Sequence, residues 1–193
     1  GADTLIGLGG NDTYRVFNSG TKIVEGPAAG SDTVEAAVNY TVAADVFIQV
    51  LQTTNAAGTT ALSLFSNEFG QTVNGNAGAN TLRGYGGNDT INGGAGNDKI
   101  SGGLGNDTLA GNAGADTYYF SYALNGSTNV DTIKGFSSID VISLSSAIFT
   151  KVGSAGTLAA AAFRANTSGA AGDASDRIIY ETDTGILRYD PDG

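Results

Sequence analysis

Four aspartates recur at intervals of nine residues, Asp89, Asp98, Asp107 and Asp116, and each closes a glycine-rich run. The runs read Gly84-Tyr-Gly-Gly-Asn-Asp89, Gly93-Gly-Ala-Gly-Asn-Asp98, Gly102-Gly-Leu-Gly-Asn-Asp107 and Gly111-Asn-Ala-Gly-Ala-Asp116. Glycine at this density lets the backbone visit positive φ, curl tightly and aim several carbonyl oxygens at one point. The aspartate adds a charged oxygen to that cage. Calcium takes six to eight oxygens at about 2.3–2.6 Å, whereas magnesium demands a strict octahedron and keeps its waters, so the chemistry suited to these loops is calcium binding.

Each loop is followed by three residues with one large apolar side chain in the middle: Leu82, Ile91, Ile100, Leu109 and Tyr118. These read as short strands. A glycine loop with a single apolar position in every nine residues is the repeat of a calcium-binding parallel β-helix. With one loop and one strand per repeat, two repeats complete a coil, so equivalent positions lie eighteen apart and coils stack at the strand spacing of about 4.8 Å. Leu82, Ile100 and Tyr118 then share one sheet, Ile91 and Leu109 the other. Asp89 and Asp107 fall on one edge, Asp98 and Asp116 on the other, and Asn80 occupies the place of a further aspartate in the second column.

The expected ligand set is therefore Gly84, Gly86, Gly87 and Asp89; Gly93, Gly94, Ala95, Gly96 and Asp98; Gly102, Gly103, Leu104, Gly105 and Asp107; and Gly111, Ala113, Gly114 and Asp116. One ion is expected between the Gly84 and Gly102 loops and another between the Gly93 and Gly111 loops. A third, between the Gly75 and Gly93 loops, would have the neutral oxygen of Asn80 in place of a charged one. Stacked aspartates repel unless a cation neutralises them, and five modest apolar side chains are a small return for ordering a segment at about 1–2 kcal/mol per residue. The expectation is that this segment is disordered without calcium and that binding is largely its folding reaction.

These nonapeptides resemble those of the repeats-in-toxin (RTX) family, secreted bacterial proteins exported by type I secretion. The resemblance extends to the start, where Gly1-Ala-Asp3-Thr-Leu5-Ile is a cut-off repeat and Gly7-Leu-Gly-Gly-Asn-Asp12-Thr-Tyr14 a whole one. It implies a fragment or the ordered part of a larger protein. Gly30-Ser-Asp32-Thr-Val34 repeats the Gly-x-Asp-x-apolar signature, so Asp12 and Asp32 are candidates to share an ion, the alternative being that Asp32 only bonds its own turn. Val130-Asp131-Thr-Ile133 and Ile139-Asp140-Val-Ile142 resemble the segment that closes RTX solenoids. Lys134-Gly135-Phe136 and Ser143 depart from its acidic pattern, so Asp131 and Asp140 read as two surface turns, the alternative being the last calcium site that the resemblance implies.

The fold expected is all-β, a right-handed parallel β-roll or β-solenoid with calcium-binding glycine-rich turns and a C-terminal capping region. Residues 1–74 form irregular solenoid coils beginning inside a repeat, 75–120 the nonapeptide roll, and 121–193 the cap. Short runs rich in β-branched residues and bounded by turn formers place strands at Tyr14 to Phe17, Lys22 to Val24, Thr33 to Ala36, Val38 to Val42, Val46 to Gln52 and Ala61 to Phe65. In the cap, Ala-rich Thr157 to Phe163 reads as a short helix, and Arg177 to Tyr180 with Ile186 to Tyr189 as a β-hairpin.

The net charge is −10, with no histidine and no cysteine among 193 residues. No basic stripe exists to meet nucleic acid, and no stretch approaches a membrane span. Lack of histidine removes the zinc-protease motif and every Ser-His-Asp or Cys-His nucleophile from the chain, so no enzyme activity is expected of it. The glycine loops carry an aspartate that would repel phosphate, and their carboxylate pairs belong to a regular array, unlike a glycosidase pair. Without disulfides, metal is the evident source of stability in an exported protein. Two to four calcium ions are expected as the cofactor.

By resemblance, the location implied is extracellular or at the surface of a Gram-negative bacterium. Two functions are compatible with the repeats. One is a structural or adhesive segment of S-layer, adhesin or biofilm type, with self-association or cell-surface polysaccharide as partner. The other is the calcium-dependent folding and secretion module of an exported enzyme or toxin, such as a protease, lipase or epimerase.

Overall fold

The computed structural model describes residues 1–27, 29–123 and 127–149, together with the backbone of residues 163–166, 178–181 and 187–189. In the first part the strands are β1 (Thr4–Ile6), β2 (Thr13–Val16), β3 (Lys22–Val24), β4 (Thr33–Ala36), β5 (Tyr40–Thr41), β6 (Val50–Thr53), β7 (Ser63–Phe65) and β8 (Thr72–Asn74). The repeats supply β9 (Thr81–Gly86), β10 (Thr90–Ala95), β11 (Lys99–Leu104), β12 (Thr108–Ala113) and β13 (Thr117–Phe120), followed by β14 (Thr132–Lys134) and β15 (Val141–Leu144). No helix occurs among the described residues.

Strands alternate between two sheets, as a coil of two strands requires. The even strands β2 to β14 form one seven-stranded sheet and the odd strands β5 to β15 a six-stranded one, while β1 pairs with β3. All these pairings are parallel. The chain is thus a parallel β-solenoid of about six turns.

One interior side chain per strand stacks along each sheet. Tyr14, Val34, Leu51, Val73, Ile91, Leu109 and Ile133 lie opposite one another in register on the even sheet. Tyr40, Leu64, Leu82, Ile100, Tyr118 and Ile142 do the same on the odd sheet. Almost all are buried in a single core. The pairing of Ile91 with Leu109 and of Leu82 with Ile100 and Tyr118 is the eighteen-residue register that the repeat implies.

Two features differ from the sequence expectation. Strands in the roll run for six residues, since the first three loop positions continue the ladder: Gly94 faces Asn112, Ala95 faces Ala113, Gly103 faces Tyr85 and Leu104 faces Gly86. Outside the roll β3 and β4 coincide with the runs Lys22 to Val24 and Thr33 to Ala36, whereas β5 is only Tyr40–Thr41 within Val38 to Val42 and β6 begins at Val50, four residues into Val46 to Gln52. Near the C-terminus β16 (Phe163–Asn166) pairs parallel with β17 (Ile178–Glu181), and β17 pairs antiparallel with β18 (Leu187–Tyr189), as a hairpin requires. The expected helix falls outside the described residues except for Phe163, which opens β16.

Candidate metal centre

Each loop aspartate divides its carboxylate between two environments. Oδ1 accepts a hydrogen bond from the backbone N–H of the coil before it: Asp89 from Gln71 at 2.7 Å, Asp107 from Asp89 at 2.8 Å, Asp98 from Asn80 at 2.7 Å and Asp116 from Asp98 at 2.8 Å. Oδ2 of all four is buried and has no hydrogen-bond partner. A charged oxygen removed from water without a partner is costly, so these atoms call for a cation.

The glycines show what surrounds that oxygen. A Cβ added at Gly84 would collide with Asp89 Oδ2 and with the Gly102 carbonyl oxygen, and one at Gly93 with Asp98 Oδ2 and the Gly111 carbonyl oxygen. The carboxylate of one loop and the carbonyl of the next coil therefore converge over Gly84 and Gly93. Gly102 and Gly111 are crowded by the carboxylates of Asp107 and Asp116. The loop pairs expected from the spacing, Gly84 with Gly102 and Gly93 with Gly111, are the pairs brought together.

The remaining loop positions hold the coils in stack. Gly105 has φ 128°, and a Cβ there would run into the Gly87 carbonyl oxygen one coil below. Gly86, Gly87, Gly94, Ala95, Gly96, Gly103, Ala113 and Gly114 lie at the same two kinds of interface, facing neighbouring backbone. The Leu104 side chain is half exposed, so only its backbone faces the loop.

Burial also governs the charge state. It is the largest influence on all four aspartates and pushes Asp89 up to about 8 and Asp98 to about 6, with Asp107 and Asp116 also raised. The backbone hydrogen bonds pull the other way and are outweighed. Two carboxylates one coil apart, at about 4.8 Å, repel by about 3 kcal/mol at an effective dielectric of 20. A net hydrogen bond returns about 1 kcal/mol, so the ladder alone does not hold an ionised column together, and a divalent cation fits these residues.

Asn80 behaves differently from the aspartates. It lies in the column, yet its Nδ2 donates to the carbonyl oxygens of Gly78 and Asn76 and to Asn76 Oδ1. A neutral N–H thus engages the carbonyl oxygens of its own loop. Gln71 does the equivalent in the other column, donating to Asn67 Oδ1 while its Oε1 accepts from Asn67 N–H. The coils between Asp32 and Asp89 are lined by carboxamides, a substitution that periodicity alone did not reveal.

Asp131 corrects the reading of a surface turn. It is buried, its Oδ1 accepts from the N–H of Asp107 at 3.0 Å, and burial raises its carboxyl. Asp140 Oδ1 accepts from Asp116 N–H at 2.9 Å. Both columns therefore continue beyond the roll. The step is 24 residues where earlier steps are 18, so the nonapeptide period breaks although the edge position is kept.

A second ladder was also missed. The loop asparagines accept from the following coil: Asn88 Oδ1 from Asn106 N–H at 2.8 Å, Asn97 Oδ1 from Ala115 N–H at 2.9 Å and Asn106 Oδ1 from Val130 N–H at 2.8 Å. Aspartates bind backward and asparagines forward, so the Gly84, Gly93 and Gly102 loops are tied on both sides.

Near the N-terminus, Asp32 Oδ1 accepts from Asp12 N–H at 2.8 Å across 20 residues, and Oδ2 of both is buried without a partner. The expected pair is brought together. Glu25, which sequence spacing did not single out, has a carboxylate oxygen within 4.8 Å of theirs.

A family model of the RTX calcium-binding nonapeptide repeat (4 copies) matches residues 1–15, 65–100 and 93–121. No curated protein and no solved structure matches the chain. The matched segments are the N-terminal loop and the roll, which hold all the unpartnered carboxylate oxygens found among the described residues except that of Asp32. The chain carries RTX repeats, the calcium-binding module of secreted bacterial proteins.

Proposed function

We propose that this chain, with its RTX calcium-binding repeats, is the scaffold segment of a secreted or cell-surface bacterial protein of S-layer, adhesin or biofilm type. The observation that carries this reading is the row of buried, unpartnered Oδ2 atoms at Asp89, Asp98, Asp107 and Asp116, each beside the first glycine of its repeat. One calcium sits between the Gly84 and Gly102 loops, one between the Gly93 and Gly111 loops, and a further ion with Asp12 and Asp32. Calcium is scarce inside a cell and plentiful outside it. The same carboxylates thus keep the roll unfolded and exportable before secretion and assemble it afterwards.

The role is non-catalytic and rests on a stiff surface. On the odd sheet Tyr85, Tyr119 and Tyr122 are partly exposed around a shallow groove of about 610 Å³ that Arg83 and Lys99 also line. Aromatic faces with two cations suit a cell-surface polysaccharide, and the exposed Ile6, Leu8 and Phe17 of the first coils suit contact with a neighbouring molecule. Light scattering across a concentration series in calcium and in chelator tests the scaffold: association in calcium alone is expected, and a monomer at every concentration contradicts self-assembly.

A further inference from the structure

Glu25 stands eighteen residues after Gly7, the first glycine of the N-terminal repeat. In the roll the corresponding position, Gly102 relative to Gly84, sends a backbone carbonyl oxygen to the space over the first glycine. Over Gly7 that space is crowded instead by Glu25 Oε2, Asp12 Oδ2 and the Tyr14 hydroxyl. A side-chain carboxylate has taken the place of a main-chain oxygen.

We propose that Glu25 is a direct calcium ligand and that Asp12, Glu25 and Asp32 form a three-carboxylate site, chemically distinct from the glycine-carbonyl sites of the roll. The three carboxylates each offer an oxygen within 4.8 Å of the others. Asp32 and Glu25 are buried, and the Oδ2 atoms of Asp12 and Asp32 have no partner. The Tyr14 hydroxyl donates to Glu25 Oε2 and uses only one of its lone pairs. Two buried carboxylates and a half-buried third, gathered within 4.8 Å of one another, call for a cation between them, and an all-oxygen set with this much negative charge selects calcium or a lanthanide. The site is separated from the roll by the carboxamide-lined coils, so it loads as a local unit.

The inference rests on the calcium-binding reading of the repeats, and the test separates the two. Bound calcium is counted by equilibrium dialysis with elemental analysis for the parent chain, Glu25→Gln and Asp98→Asn. Terbium emission sensitised by tyrosine is recorded for the parent and Tyr14→Phe. The expectation is one ion fewer for Glu25→Gln with the roll's ions retained, and a drop in terbium emission for Tyr14→Phe at unchanged ion count. Loss of an ion in Asp98→Asn but none in Glu25→Gln overturns the inference and leaves the roll reading standing. No bound calcium in the parent overturns both. Should Glu25→Gln fail to fold, undiminished terbium emission from Tyr14→Phe still contradicts the site.

Discussion

The difference between Asn80 and Asp98 is a single amide, and it decides whether a loop closes on itself or waits for an ion. Asn80 Nδ2 donates to Gly78 and Asn76, so carbonyls that a cation would otherwise draw are already engaged. Asn80→Asp turns those donors into a charged acceptor and leaves the carbonyls free. We expect the variant to bind one calcium more than the parent and to be less stable in chelator, as counted by dialysis and followed by denaturant unfolding. Protonation is the other way to neutralise these carboxylates. With folded values raised to about 8 for Asp89 and about 6 for Asp98 against an ordinary 3.8, the metal-free fold holds more protons than the unfolded chain. Its stability is therefore full below the ordinary value and is lost as pH rises through the raised ones. Unfolding in chelator from pH 4 to 9 is expected to show falling stability, and in calcium, which requires the deprotonated form, rising stability. Spacing made the aspartates legible as candidate ligands because their period is unbroken. The place of Glu25 beside Asp12 and Asp32 was not legible, since it depends on which oxygens of successive coils meet, and that is set by three-dimensional stacking.

At the scale of the coil, glycine is needed where backbone meets backbone. Gly105→Ala would put a methyl group into the Gly87 carbonyl and force an L side chain to φ 128°, a conformation costing about 1–3 kcal/mol before the clash. The calcium midpoint of the folding transition is expected to rise several-fold, and an unchanged midpoint contradicts the close stacking. The carboxamide-lined coils predict graded stability: in chelator, hydrogen exchange is expected to accelerate by a larger factor in β9 to β13 than in β6 to β8, where Asn67 and Gln71 bond each other and carry no charge. Uniform acceleration would contradict it. The core side chain of each repeat was readable because one apolar residue follows every loop. The continuation of both aspartate columns to Asp131 and Asp140 was hidden by a coil six residues longer, which conceals the period while leaving the edge register intact.

Across the whole molecule, charge is the organising variable. The chain carries −10, and within its described residues the buried carboxylates lie in two groups, near Asp12 and along the roll, with neutral amides between them. We expect the aspartate-bearing coils of such a chain to open at neutral pH while metal-free, because the columns that fix their register are also what repels. Calcium would reverse the sign of that interaction, and we expect it to act as the folding partner of the repeats. Circular dichroism during a calcium titration in metal-free buffer, with magnesium as control, tests this most directly. The account predicts a coil-to-β transition with calcium and none with magnesium at the same concentration. Equal β-content in chelator and in calcium would contradict it.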